Sequence, residues 1–199
     1  MGLDILFVHP NASEKIYQGL SEKHSAIEPP IWAAMLANHC RVNNFGVQIL
    51  DCEAEMLSWE ESAKTINDIN PRVVCFVVYG QQPSASSQNM SGAVGIADLL
   101  KKLNPTTKTL FVGGHVSALP LEVLKEESVD MVCQNECVYT ISNLLKTDLS
   151  IQQIDLVKGL GYKVDGIGFL NPPEMIVPRS RLEYDLPGMA WDLLPDIKK

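Results

Sequence analysis

Thr109-Leu110-Phe111-Val112-Gly113-Gly114 sets an unbroken apolar run against paired glycines, and Val129-Asp130-Met131-Val132-Cys133 supplies a second run after one short helical pattern, Leu121–Glu127. Runs without polar alternation belong to strands buried on both faces, as in parallel sheets. Three earlier runs have the same character: Asp4–Val8, Val47–Asp51 and Val73–Tyr79. Helical patterns at Ile31–Asn43, Ser58–Ile69 and Ser87–Leu103 separate them, and Glu136–Lys146 closes the set. The helix ends are marked. Pro30 suits a first helical position, and Asn44-Phe45-Gly46 suits a left-handed stop. Ser58 followed by Glu61 is a capping-box pattern. Met90, Ala93, Val94, Ala97 and Leu100–Leu103 share one helical face before Asn104-Pro105 ends it.

Five strand–helix alternations with right-handed crossovers predict an α/β fold: a flavodoxin-like, doubly wound, five-stranded parallel sheet of order 2-1-3-4-5. Such sheets bind ligands beyond the carboxyl ends of their strands, at the switch between strands 1 and 3. That rule selects the loops His9–Pro30, Gly80–Ser87, Gly114–Pro120 and Gln134–Glu136. Past residue 150 the character changes. Leu156–Tyr162 and Ile167–Asn171 flank Val164-Asp165-Gly166, a hairpin signal. Pro172, Pro173, Pro178, Pro187 and Pro195 then mark an extended arm. The chain therefore divides into a Rossmann-like domain over residues 1–149 and a hairpin with arm over 150–199.

A length of 199 residues allows one domain and a short appendage, and 46% hydrophobic residues supply its core. The net charge of −8, with no Lys/Arg run, argues against nucleic acid as a partner. No apolar run approaches the roughly 18 residues of a membrane span. Five cysteines (Cys40, Cys52, Cys75, Cys133 and Cys137), an odd number without a secretory leader, point to a reducing compartment. The chain reads as cytoplasmic.

Several chemistries lack their residues. There is no Gly-x4-Gly-Lys-Ser/Thr phosphate loop and no Gly-x-Gly-x-x-Gly after the first strand. The acidic and lysine positions of a phospho-receiver are filled by His9-Pro10-Asn11, Tyr79-Gly80-Gln81 and Cys133-Gln134-Asn135. Ser84, Ser86 and Ser87 have no nucleophile-elbow context. Cys133-x3-Cys137 has Thr140 where an iron–sulfur triplet needs its third cysteine, so no such cluster is expected within this chain. The rim loops are instead neutral and rich in amides and hydroxyls: Asn11, Gln81, Gln82, Ser84, Ser86, Ser117 and Asn135. They suit a large, multiply hydrogen-bonding ligand. Gly113-Gly114 would let it lie against the backbone.

Phe111-Val112-Gly113-Gly114-His115-Val116-Ser117-Ala118-Leu119-Pro120, with Val129-Asp130-Met131-Val132-Cys133-Gln134-Asn135-Glu136, resembles the cobalamin-binding domain of cobalamin-dependent radical SAM enzymes. The resemblance extends to Phe7-Val8-His9-Pro10-Asn11, Pro29-Pro30 and Asn70-Pro71-Arg72-Val73-Val74. It also covers the arm, from Lys158-Gly159-Leu160-Gly161-Tyr162 through Asn171-Pro172-Pro173 to Trp191-Asp192-Leu193-Leu194-Pro195, which looks like the connector before the radical SAM barrel. Two places depart from the family. Gly-Glu-Gly-Glu is replaced by Asn135-Glu136-Cys137-Val138, and the residue usually found between the paired glycines and His115 is absent.

The resemblance implies a corrinoid cofactor, held by Asn11, Tyr79, Gly80, Gln81, Ser84, Gly113, Gly114, His115, Val116, Ser117, Asn135 and Glu136. No Asp-x-His-x-x-Gly follows strand 1, and the resemblance implies a base-off cofactor without a protein histidine beneath cobalt. His9 and His115 are the weak candidates for cobalt, and Trp32 is a candidate to cover a corrin face. The implied partner is a radical SAM catalytic domain or subunit, with methyl transfer or rearrangement as the reaction; the chain alone would not be catalytic. A flavin- or other ligand-binding module of the same fold, or a degenerate domain kept for protein contact, are the alternatives.

Overall fold

The computed structural model describes residues 2–12, 28–79 and 83–195. Its strands are β1 (Ile5–His9), β2 (Val47–Asp51), β3 (Val73–Val77), β4 (Thr109–Val112), β5 (Met131–Cys133), β6 (Leu160–Val164) and β7 (Ile167–Leu170). Its α-helical segments are α1 (Ile31–Val42), α2 (Trp59–Ile69), α3 (Pro83–Leu103), α4 (Gly114–Ala118), α5 (Pro120–Val123), α6 (Val138–Leu145), α7 (Ile151–Ile154) and α8 (Leu182–Asp185). The sheet runs β2-β1-β3-β4-β5-β6-β7, and its first five strands are parallel in the anticipated order.

The hairpin does not stand apart. It turns at Asp165 and Gly166, both with positive φ (51° and 79°), as a two-residue turn of this hand requires. β6 then adds antiparallel to β5, pairing Met131 with Tyr162 and Cys133 with Leu160, so the hairpin extends the main sheet. Two other segments differ from the sequence reading. Gly114–Pro120, expected as a loop, forms α4 and the start of α5. α3 begins at Pro83 rather than Ser87.

Alternation along the strands sends side chains into two cores. Ile5, Phe7, Val73, Cys75, Val77, Leu110 and Val112 face α1, α6 and the C-terminal arm. Leu6, Val8, Val74, Phe76, Val78 and Phe111 face α2, α3 and α5. Phe76 and Phe111 meet there with ring centroids 4.8 Å apart. Ser58 caps α2 as the capping box predicts: its hydroxyl accepts from the Glu61 amide while the Glu61 carboxylate accepts from the Ser58 amide.

The arm is pinned across α1 and α6 rather than hanging free. The Ala190 amide donates to Ala34 O at 3.0 Å, and Arg41 pairs with Asp192 at 2.6 Å. Asp185 accepts from Tyr139 Oη, Arg181 Nε and Arg181 Nη2. His39 is buried. Its Nδ1 lies 2.6 Å from the Asp185 carbonyl, and among the described residues its Nε2 has no hydrogen-bond partner. A carbonyl only accepts, so Nδ1 carries the proton and Nε2 is an unsatisfied lone pair.

Burial lowers the His39 pKa from its ordinary 6.5, because a second proton would be enclosed without water. The unfolded chain therefore binds that proton more readily, and stability must fall as pH drops through the unfolded value. Denaturant midpoints measured between about pH 7.5 and about pH 5.5 are expected to fall for the wild type, and to fall less for His39→Gln. Equal pH dependence in the two proteins would contradict this assignment.

Candidate cofactor site at the carboxyl edge of the sheet

Backbone lies close against backbone where β4 ends. Gly113 has φ 155°, and a Cβ placed on it would collide with the Val78 carbonyl of the neighbouring strand. No side chain fits there. Gly114 differs: among the described residues, a Cβ on it would meet only Ser86 Oγ at 3.7 Å and Cβ at 3.8 Å, and the residue is exposed. The first glycine thus lets the backbone pass, and the second leaves a bare surface facing outward.

Ser86 fastens this corner. Its buried hydroxyl donates to the Val78 carbonyl and accepts the His115 amide at 3.0 Å, tying the ends of β3 and β4 to the first turn of α4. Ser87 Oγ lies 2.8 Å from His115 Nδ1, and Asn89 Nδ2 donates to Tyr79 O at 3.2 Å. Sequence reading named Ser86 only among the hydroxyls of its loop and did not anticipate Asn89. The local signal was Ser84-Ala85-Ser86-Ser87, a polar run opening an otherwise apolar helix.

Other anticipated residues gather along the same edge. The Asn135 carbonyl accepts from Tyr79 Oη at 3.2 Å and Ser117 Oγ at 3.4 Å, linking three loops. Trp32 stacks on Tyr79 with centroids 4.8 Å apart, and burial pushes the Tyr79 phenol up to about 12. Asn11 is held to α2, with its amide on Leu57 O at 3.3 Å and its carbonyl accepting from Trp59 Nε1 at 2.9 Å. Two residues are turned to structural work. Val116 packs in the core, and the Glu136 carboxylate accepts the Val177 amide of the arm at 2.9 Å. Gly80, Gln81 and the side chain of Ser84 lie outside the described residues.

Both candidate cobalt ligands have partners. His9 is buried with Nδ1 3.0 Å from Asp51 Oδ1, a pairing set by the register of β1 on β2. His115 is engaged by Ser87. Among the described residues, no group of three or more His, Cys, Asp or Glu side chains is placed to hold a metal ion. A groove of about 670 Å³ runs from Ser87 and His115 along α3, with Trp59, Met90 and Val94 on one side and Glu122 on the other.

Residues 19–145 match the model of the B12 binding domain, which is more than half of the chain. The chain belongs to the B12-binding domain family. Three solved structures share its fold. TsrM from Kitasatospora setae, a radical S-adenosylmethionine methyltransferase solved with cobalamin and a [4Fe-4S] cluster, is 14% identical with a TM-score of 0.62, over 90% of this chain and 30% of that one. TsrM solved with a tryptophan substrate and a SAM analogue is 14% identical with a TM-score of 0.65, over 85% of this chain and 30% of that one. OxsB, a cobalamin-dependent S-adenosylmethionine radical enzyme solved with aqua-cobalamin and S-adenosylmethionine, is 18% identical with a TM-score of 0.66, over 96% of this chain and 24% of that one. The chain thus spans less than a third of these enzymes. No curated protein matches the sequence. Among the described residues, no helix of this B12-binding domain is long and apolar enough to cross a membrane.

The two departures from the family pattern can now be placed. Asn135 and Cys137, standing where glycines are usual, have φ of 57° and 66°. The β5–α6 turn therefore keeps a glycine-like backbone with side chains added, and asparagine tolerates that region better than most residues.

The paired glycines should respond oppositely to one methyl group. Gly113→Ala is expected to destabilise by about 3 kcal/mol, because strained φ and the Val78 collision add. Gly114→Ala should remain within about 0.5 kcal/mol of wild type. Ser86→Ala, which strands the Val78 carbonyl and the His115 amide, should cost about 2 kcal/mol. Urea denaturation of the three variants measures all of these.

Proposed function

We propose that this domain binds a corrinoid across the carboxyl edge of its sheet and presents it to a radical SAM catalytic domain or subunit. The single observation that carries the reading is the bare Gly114 backbone. It stands at the ligand-binding edge of a family defined by B12 binding, with its geometry fixed by Gly113 and Ser86. Asn11, Tyr79, Gly80, Gln81, Ser84, Gly113, Gly114, His115, Ser117 and Asn135 would hold the cofactor, chiefly through amides, hydroxyls and backbone. The groove along α3 offers room beside them for part of a long nucleotide tail.

Corrinoid cobalt supplies a site that relays a methyl group or assists a radical step. The chain's own work is to bind, orient and shield that group. The absence of an Asp-x-His-x-x-Gly motif after β1 supports a base-off corrinoid without a protein histidine beneath cobalt. The partner reading draws support from the large enzymes that share this fold. Exposed Ile167, Phe169, Met175, Ile176 and Trp191 on β7 and the arm add to it, since such apolar side chains are ordinarily covered. Residues 150–199 would then connect the two bodies.

Mixing the purified protein with hydroxocobalamin and desalting should leave about one equivalent of corrinoid, its visible bands showing the base-off state. Gly114→Trp should lose retention by at least about tenfold while melting as wild type does, since Gly114 is exposed and the new side chain would extend over the proposed corrinoid surface. Flavin retained in place of corrinoid, or unchanged retention in Gly114→Trp, would overturn this reading.

A further inference from the structure

The five cysteines fall into two classes. Cys40, Cys52 and Cys75 are buried free thiols, and desolvation pushes those of Cys40 and Cys52 up to about 12. Cys133 and Cys137 are joined as a disulfide across the turn between β5 and α6, with Cα atoms 5.7 Å apart, a separation ordinary for such a bond. The sequence reading had treated all five as reduced.

Cys137 also sits at an awkward position. Its φ of 66° is one that a side chain occupies at a cost of about 1 kcal/mol or more, and glycine would occupy freely. A cysteine there needs another reason, and bonding to Cys133 is one. The turn it anchors is a junction. Gln134 N donates to Gly159 O at 2.8 Å, the Asn135 carbonyl receives the Tyr79 and Ser117 hydroxyls, and Glu136 receives Val177 from the arm. Once reduced, the Cys137 thiol has acceptors waiting, with its sulfur 3.6 Å from Asn135 O and 3.7 Å from Gln134 O. Each oxidation state therefore has partners.

We propose that Cys133 and Cys137 form a reversible redox site whose state sets the position of the β5–α6 turn over the carboxyl edge of the sheet. The reaction is thiol–disulfide exchange with a dithiol. A thiolate attacks Cys137 Sγ, the less deeply buried of the pair, the S–S bond breaks, and Cys133 leaves as a thiolate that takes up a proton. The second thiol of the reductant then resolves the mixed disulfide, freeing Cys137 and leaving the reductant as a cyclic disulfide. A small disulfide drives the reverse course, two cysteine thiols being oxidised as the reagent is reduced to two thiols.

The consequence for the cofactor rests on the corrinoid reading above. Tyr79 follows β3 and Asn135 follows β5, so their hydrogen bond joins the loops on either side of the end of β4. Oxidation holds the turn in that bridge, and reduction frees it to move beside the surface on which a corrinoid would lie.

The full chain is equilibrated with glutathione disulfide or with dithiothreitol, then denatured, alkylated and weighed. Three alkylated cysteines in the first and five in the second, interconverting on exchange of reagents, is the expected result. Hydrogen exchange of the backbone amides from Gln134 to Val138 should quicken by about tenfold on reduction. Five alkylated cysteines in both, a pair that dithiothreitol cannot open in the folded protein, or unchanged exchange would each overturn the proposal. The double variant Cys133→Ala/Cys137→Gly imitates the reduced state without thiols and relieves the backbone at Cys137. Assayed free of reductant, it should retain hydroxocobalamin at least about threefold more tightly than oxidised wild type, and equal retention would overturn the gating. Alkylation and exchange need no cofactor, so absence of corrinoid binding in every form would sink the corrinoid reading and leave the redox site to be judged by them.

Discussion

Where β4 ends, the backbone at Gly113 runs so near the Val78 carbonyl that no β-carbon fits between them. This one contact fixes how β3 and β4 emerge from the sheet. Ser86 then converts proximity into a bonded corner, because its hydroxyl serves the Val78 carbonyl on one side and the His115 amide on the other. With the corner set, Gly114 must face outward and α4 must start immediately. The outward surface at Gly114 is thus a consequence of strand packing, and a site proposed there would be shaped before anything binds.

The opposite end of the chain closes the other face of the sheet. β6 and β7 extend the sheet past β5, and the arm returns over α1 and α6, where Asp185 gathers Tyr139, Arg181 and His39. A buried carboxylate is costly unless its oxygens are satisfied, and here three donors satisfy them. The Glu136 carboxylate links this arm to the ligand edge by accepting the Val177 amide. Docking of the arm and the posture of the β5–α6 turn are therefore physically connected through this hydrogen bond and the one from Gln134 Nε2 to Asn171 O.

The parallel core was legible because buried strands leave long apolar runs, and the strand order followed from the number of alternations. Helix ends with chemical signals, such as Ser58 with Glu61, were placed to within a residue. Gly114–Pro120 was not, since a five-residue helix carries too little periodicity to distinguish it from a loop. At the carboxyl edge, composition pointed to loops that the fold brings together but could not tell which polar groups were already spoken for. Val116 and Glu136 face the core and the arm because of tertiary packing that no local pattern encodes. The Cys133–Cys137 bond was missed for a related reason: a count of cysteines and an assumed compartment cannot reveal that a strand end and a helix cap bring two sulfurs together.

What distinguishes this edge is how little charge it offers. The acidic Asp51 is paired with His9, and Glu136 is drawn toward the arm, so the described groups where β3, β4 and β5 end are chiefly phenol, hydroxyl, imidazole and peptide, with charged side chains such as Glu122 set farther along the groove. A compact anion or a hard cation gains little from such a surface, because neither would find an opposing charge. A broad neutral ligand ringed with amides gains at every contact, and each peptide group it meets is held by the strands. Selectivity in this design comes from the shape of the backbone and from the residues that fix it. For that reason Gly113 and Ser86, which need not touch the ligand, matter to the site as much as the groups that would.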